Sequence, residues 1–142
     1  MIIAIDFDGT IVEHEYPAIG RERPFATTTI RRLKADGHII ILWTYREGDT
    51  LREAVKWCRE RGVEFDAVNT DDPLSDGATG PRKINADVYI DDRNVGGLPD
   101  WGAIYEMITN RWSYRRYISE THRAAAEPRP RPSLWRRLFG KS

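Results

Sequence analysis

The chain has a single cysteine, Cys58, so no internal disulfide can form and stability must come from a packed core. That usage suits a reducing compartment, and the expectation is a cytoplasmic protein. Apolar runs are short: none approaches the ~18 residues of a membrane span. The stretch Met1 to Ile5 lacks a basic flank and runs straight into an aspartate, which reads as a strand rather than a secretory leader. Histidine is scarce, at three in 142 residues, and with one cysteine no His–Cys cluster points to zinc.

A net charge of zero is also missing information, because it conceals a split. Residues 1–110 carry 13 basic against 20 acidic side chains, and residues 111–142 carry 9 against 2. An acidic body argues against a polynucleotide partner, which needs a basic groove. With 31% charged and 40% hydrophobic residues the composition is that of a globular domain.

Met1 to Phe7 is an Ile-rich run before a polar turn, the pattern of a buried parallel strand. Pro24 suits the first turn of a helix to about Asp36, with Ala26, Ile30 and Leu33 on its apolar side and Gly37 as its stop. Ile39 to Trp43 reads as the second strand. Thr50 and Glu53 predict a capping box for a helix that buries Leu51, Ala54, Val55 and Cys58 and ends at Gly62. Phe65 to Val68 and Val88 to Ile90 read as further strands. Asp100 caps a helix with Trp101, Ile104, Tyr105 and Ile108 inward. Alternating strands and helices predict an α/β fold, a three-layer sandwich around a parallel, Rossmann-like sheet, with ligands beyond the carboxyl ends of the strands.

Polar residues gather at those ends. Asp6 and Asp8 follow the first strand, Thr44 and Arg46 the second, and Asp91 and Asp92 the fourth. Several carboxylates in one crevice repel, and a divalent cation relieves the repulsion. Mg²⁺ favours an oxygen shell of one or two carboxylates, waters and a phosphate. With phosphate bound, one carboxylate can attack phosphorus, and another, two residues on, can protonate the leaving oxygen and then activate water. A hydroxyl and cationic side chains hold the phosphoryl oxygens. Asp6, Asp8, Thr44 and Lys83 are the right types, with Arg46 as a further phosphate contact. An EF-hand loop starting at Asp6 is excluded, because its twelfth position is Pro17 rather than glutamate.

Asp6-Phe7-Asp8-Gly9-Thr10 after an apolar strand resembles motif one of the haloacid dehalogenase superfamily, Asp-x-Asp-Gly-Thr. Thr44, Lys83 and Asp91-Asp92 follow in the order of the other three motifs, so the resemblance covers roughly residues 1–110. It implies a Mg²⁺-dependent phosphatase in which Asp6 is nucleophile and metal ligand. Asp8 would be the acid/base, its backbone carbonyl also on the metal, and Asp91 and Asp92 would complete the metal site. Dehalogenases of the superfamily lack the second aspartate and transporting ATPases have threonine there, so Asp8 points to the phosphatase branch. The segments between Thr10 and Ile39 and between Thr44 and Lys83 are too short for a folded cap beside the elements already assigned. The chain therefore resembles small capless members with Asp-Asp-Arg-Asn-Val-Gly-Gly after the fourth strand, here Asp91 to Gly97. Arg82 adjoins Lys83, and register decides between them; Lys83 is preferred.

Other polar residues are read as structural or solvated: His14 and Glu13 on the surface, His38 in a strand, and Arg23 and Arg93 as surface charge or entrance. Asn69, at the end of the third strand, is read the same way, with contact to the site as the lesser alternative. The catalytic domain is expected over 1–119. Residues 120–142 are read as a Pro/Arg-rich linker and tail, in which a helix would gather Leu134, Trp135, Leu138 and Phe139 opposite Arg136, Arg137 and Lys141. Such a tail suits weak contact with an anionic membrane surface or docking on the acidic body. A small phosphorylated substrate is the expected partner, and an oligomer is compatible with the reading. The alternatives are a phosphatase of nucleotides or nucleic-acid ends and, from another class, a tail-tethered binding module with little turnover.

Overall fold

The computed structural model of the chain describes residues 1–72 and 83–126. Its elements run β1 (Ile2–Ile5), α1 (Ala26–Ala35), β2 (Ile39–Leu42), α2 (Gly48–Glu60), β3 (Ala67–Val68), β4 (Val88–Ile90), α3 (Trp101–Asn110) and α4 (Tyr114–Ala126). The four strands form one all-parallel sheet in the order β3-β2-β1-β4. The fold is therefore the expected α/β type, a parallel sheet flanked by helices in keeping with a three-layer sandwich. No cap domain is present among the described residues. The chain divides into two compact units, Met1–Tyr105 and Glu106–Ser142.

β1 to β2 to β3 steps in one direction across the sheet, so right-handed crossovers put α1 and α2 on the same face. β4 then returns to the other side of β1. Alternation along the strands sends Ile3, Ile5, Ile40 and Leu42 to one face, all buried, and Ala4, Ile41 and Ala67 to the other, where Ile84 joins them. Phe7, fully buried, meets Trp57 of α2 edge-on at 5.8 Å between ring centroids. Burying such a ring contributes about 1.5–3 kcal/mol.

The helix ends differ from expectation in instructive ways. α1 starts at Ala26, with Phe25 in the left-handed region at φ 66°, and its first turn is capped from outside. The Glu22 carboxylate accepts the Thr27 amide at 3.0 Å and its hydroxyl at 2.6 Å, which also sets a negative charge against the positive helix end. The predicted Thr50–Glu53 capping box does not form. α2 already begins at Gly48, so Thr50 lies inside the first turn and its hydroxyl donates to the Glu47 carbonyl at 2.8 Å. Asp100 does cap α3, accepting the Ala103 amide at 2.9 Å.

The second correction is α4. The pattern was expected to dissolve into linker at Glu120, yet the helix continues to Ala126. Three alanines are the best helix formers, and the Glu120–Arg123 pair at 2.7 Å supports the same turn. The predicted linker from Glu127 and the amphipathic segment 133–142 lie outside the described residues. No helix among those described is long and apolar enough to cross a membrane.

Candidate functional site

The sheet order reverses at β1, between β2 and β4, and that is where an open α/β sheet leaves a crevice beyond its strand ends. Asp6 leaves β1 with its amide donating to the Ile90 carbonyl at 3.0 Å, so the ends of β1 and β4 are tied together. The chain then turns tightly, the Ile11 and Val12 amides both donating to the Phe7 carbonyl. Gly9 sits at φ 82°, and a Cβ there would run into the Asp92 carboxylate. Only glycine permits that approach. Thr10 is fully buried beneath it. Its hydroxyl accepts the Asp92 amide at 3.0 Å and lies 3.4 Å from a carboxylate oxygen of both Asp6 and Asp92. Trp101 of α3 donates its indole N–H to the Thr10 carbonyl at 3.2 Å.

This scaffold brings Asp6, Asp91 and Asp92 together, one carboxylate oxygen from each within 4.8 Å of the others. The Asp6 carboxyl is pushed up from 3.8 to about 7. Burial is the main cause, followed by Asp91, Asp92 and Asp8, against the lowering effect of the Phe7 backbone hydrogen bond. Three converging carboxylates are an all-oxygen donor set, which suits a hard divalent cation of the Mg²⁺ or Ca²⁺ kind.

Asp8 faces a different neighbour. Arg46, 1% exposed, grips it with two parallel hydrogen bonds, Nε to Oδ2 and Nη2 to Oδ1, both 2.7 Å. The remaining guanidinium donors go to the carbonyls of Pro17 at 3.0 Å, Ala18 at 2.7 Å and Thr50 at 3.4 Å. All five donors are committed, which corrects the reading of Arg46 as a phosphate contact: it has no N–H left to give. Arg46 instead fastens the Asp8 carboxylate to the loop after β1 and to the start of α2. Asp8 still lines the cleft, with 12% of its side chain exposed.

Thr44 follows β2 as expected and lines the same cleft as Asp6, Asp8 and Asp91. Its amide is held by Asn69 Oδ1 at 2.8 Å, and its hydroxyl accepts the Arg46 amide at 3.2 Å. Asn69, at φ 54°, therefore shapes the loop that presents Thr44. Lys83 is exposed, with its ammonium 5.1 Å from the centre of the Tyr89 ring, and it is not among the residues lining the cleft. Arg82 lies outside the described residues.

The cleft, about 520 Å³, is lined further, among the described residues, by His14, Tyr16, Trp43, Tyr45 and Arg93. Arg93 stands where its entrance alternative put it, whereas His14 was read as surface and the three aromatics were not singled out as site residues. The position of Trp43 and Tyr45 on either side of Thr44 was the available signal. Thr10 carried a signal too, as the last residue of its motif.

Fold and site together define an α/β sandwich with an acidic strand-end cleft. The solved structure of a conserved protein from Bacteroides thetaiotaomicron is 56% identical, and the match covers 81% of this chain and 94% of that one with a TM-score of 0.77. The chain belongs to the same family as that protein. No protein-family model and no curated protein matches the sequence.

Proposed function

We propose that the protein is a Mg²⁺-dependent phosphatase that hydrolyses a phosphomonoester through an aspartyl-phosphate on Asp6. The observation that carries this reading is the convergence of Asp6, Asp91 and Asp92 at the switch point of the sheet, with Asp6 and Asp91 lining one cleft together with Asp8 and Thr44. Bound by Asp6, Asp91 and Asp92, with the Asp8 carbonyl as a further donor, the cation would neutralise the carboxylates and the phosphate charge.

Asp6 attacks phosphorus as the P–O bond to the alcohol breaks, and Asp8 supplies a proton to the leaving oxygen. In the second step Asp8 takes a proton from the water that attacks phosphorus, releasing inorganic phosphate and restoring the Asp6 carboxylate. Arg46 holds Asp8 in place, and each carboxylate oxygen keeps a lone pair beyond those Arg46 occupies. Thr44 offers its hydroxyl proton to a phosphoryl oxygen, and Lys83 is the candidate cation for another, its ammonium swinging from the Tyr89 ring.

Turnover of p-nitrophenyl phosphate should disappear with EDTA, return with Mg²⁺, and be lost in Asp6→Asn with the fold intact by circular dichroism. Undiminished turnover by Asp6→Asn would overturn the assignment. Phosphate release by the wild type also separates an enzyme from a binding module.

A further inference from the structure

We propose that the cleft selects phosphate monoesters whose alcohol carries a planar ring, as a nucleoside or an arylmethanol does; the inference rests on the phosphatase reading of the same site. At about 520 Å³ the cleft falls in the range of small-molecule sites and holds far more than a phosphate group. The carboxylates and Thr44 occupy one part of its lining. The rest, among the described residues, is His14, Tyr16, Trp43, Tyr45 and Arg93, three aromatic rings with two nitrogen-bearing side chains.

The rings are displayed rather than packed away. Tyr45 is 92% exposed and Tyr16 45%. Trp43 and Tyr45 flank Thr44, so a ring bound against them sits within reach of a phosphoryl group at Thr44. Two of the rings are also braced. Trp43 leans on Tyr89 at 5.4 Å between centroids, and the guanidinium of Arg46, itself pinned by five hydrogen bonds, lies 5.2 Å from the centre of the Tyr16 ring. Braced rings bind a flat ligand with little ordering cost.

A polyol phosphate would need side-chain acceptors for its hydroxyls. Among the described residues, the cleft wall beyond Asp6, Asp8 and Asp91 has no further carboxylate and no side-chain amide. Polymeric nucleic acid is disfavoured by the acidic body, so the ligand is a small molecule.

Two substrate pairs isolate the ring while keeping the leaving group constant. Nucleoside 5′-monophosphates are compared with ribose 5-phosphate, and benzyl phosphate with cyclohexylmethyl phosphate. Stacking on aromatic side chains predicts a gain in kcat/KM of about tenfold or more for the ring-bearing member of a pair. The pair that shows it distinguishes a nucleoside from a simple aryl ring. Tyr45→Ala should cut the ratio severalfold, and Tyr45→Phe should restore it. Equal kcat/KM within both pairs would overturn the inference while the phosphatase reading stands. Failure to turn over any ester would overturn the phosphatase reading. The ring is then decided on the wild type, which leaves the esters intact, by calorimetry with the same pairs and Mg²⁺, where matched affinities, or no binding by any member, reject it.

Discussion

Arg46 and Asp8 form the pair on which the geometry of the site depends. Both are withdrawn from water, the arginine side chain completely, and their hydrogen bonds reach from the motif-one loop to α2. Taking one partner from a buried pair leaves the other charge without compensation and costs about 3–5 kcal/mol. Arg46→Leu should therefore lower the urea-unfolding free energy by about that amount, with the Pro17 and Ala18 carbonyls also losing their donor. Arg46→Lys should recover only part of it, since an ammonium cannot match the two-pronged contact. Arg21→Ala, at an exposed ion pair with Glu13, should unfold close to the wild-type midpoint. An Arg46→Leu protein as stable as the wild type would show that the pair is not structural. None of this is written in the sequence around Arg46. An arginine two residues after a strand-end threonine looks like a phosphate contact, and only the fold reveals that Asp8 and three carbonyls take all its donors.

At the scale of elements, the ends of β1 and β4 hold three carboxylates close together, and burial, with the neighbouring charges added to it, raises the Asp6 carboxyl. Its folded value of about 7 lies above the ordinary 3.8, so between those pH values the folded protein keeps a proton that the unfolded chain releases. For the metal-free protein this contribution to stability therefore falls as pH rises from about 4 to about 7. A divalent cation must displace that proton, so metal binding strengthens over the same window. The rise in Tm caused by a fixed Mg²⁺ concentration should be larger near pH 8 than near pH 5.5. Calorimetry near pH 6 in buffers of different ionisation enthalpy should detect proton release. A Tm shift independent of pH would contradict the link between Asp6 and the metal. These strand ends were legible because parallel strands buried on both faces read as unbroken apolar runs, and the aspartates punctuate them. Helix ends were less legible. Glu22 caps α1 from outside the helix, and Thr50 was mistaken for a cap because the extra residues Gly48 and Asp49 also adopt helical geometry. α4 was missed because Ser113 and the alanines carry its signal while Pro128 onward dominates the composition of the tail.

Across the whole molecule, sheet topology does what local pattern cannot. Order β3-β2-β1-β4 sets Asp6 beside Asp91 and Asp92, residues far apart in the chain, and leaves their cleft uncapped among the described residues. The acidic chemistry was readable because strand-end positions are dictated by the fold class. The aromatic wall was not, because loops after β1 and β2 approach each other only once the sheet is assembled. The central claim is that Asp6 forms the bond to phosphorus. It is tested most directly by quenching the Mg²⁺-loaded wild type in acid during turnover of p-nitrophenyl phosphate, reducing with borohydride and sequencing the peptides by mass spectrometry. Borohydride converts an aspartyl-phosphate to homoserine, so the account predicts homoserine at position 6 and none in Asp6→Asn. Homoserine at another aspartate, or sustained turnover with none at all, would contradict it.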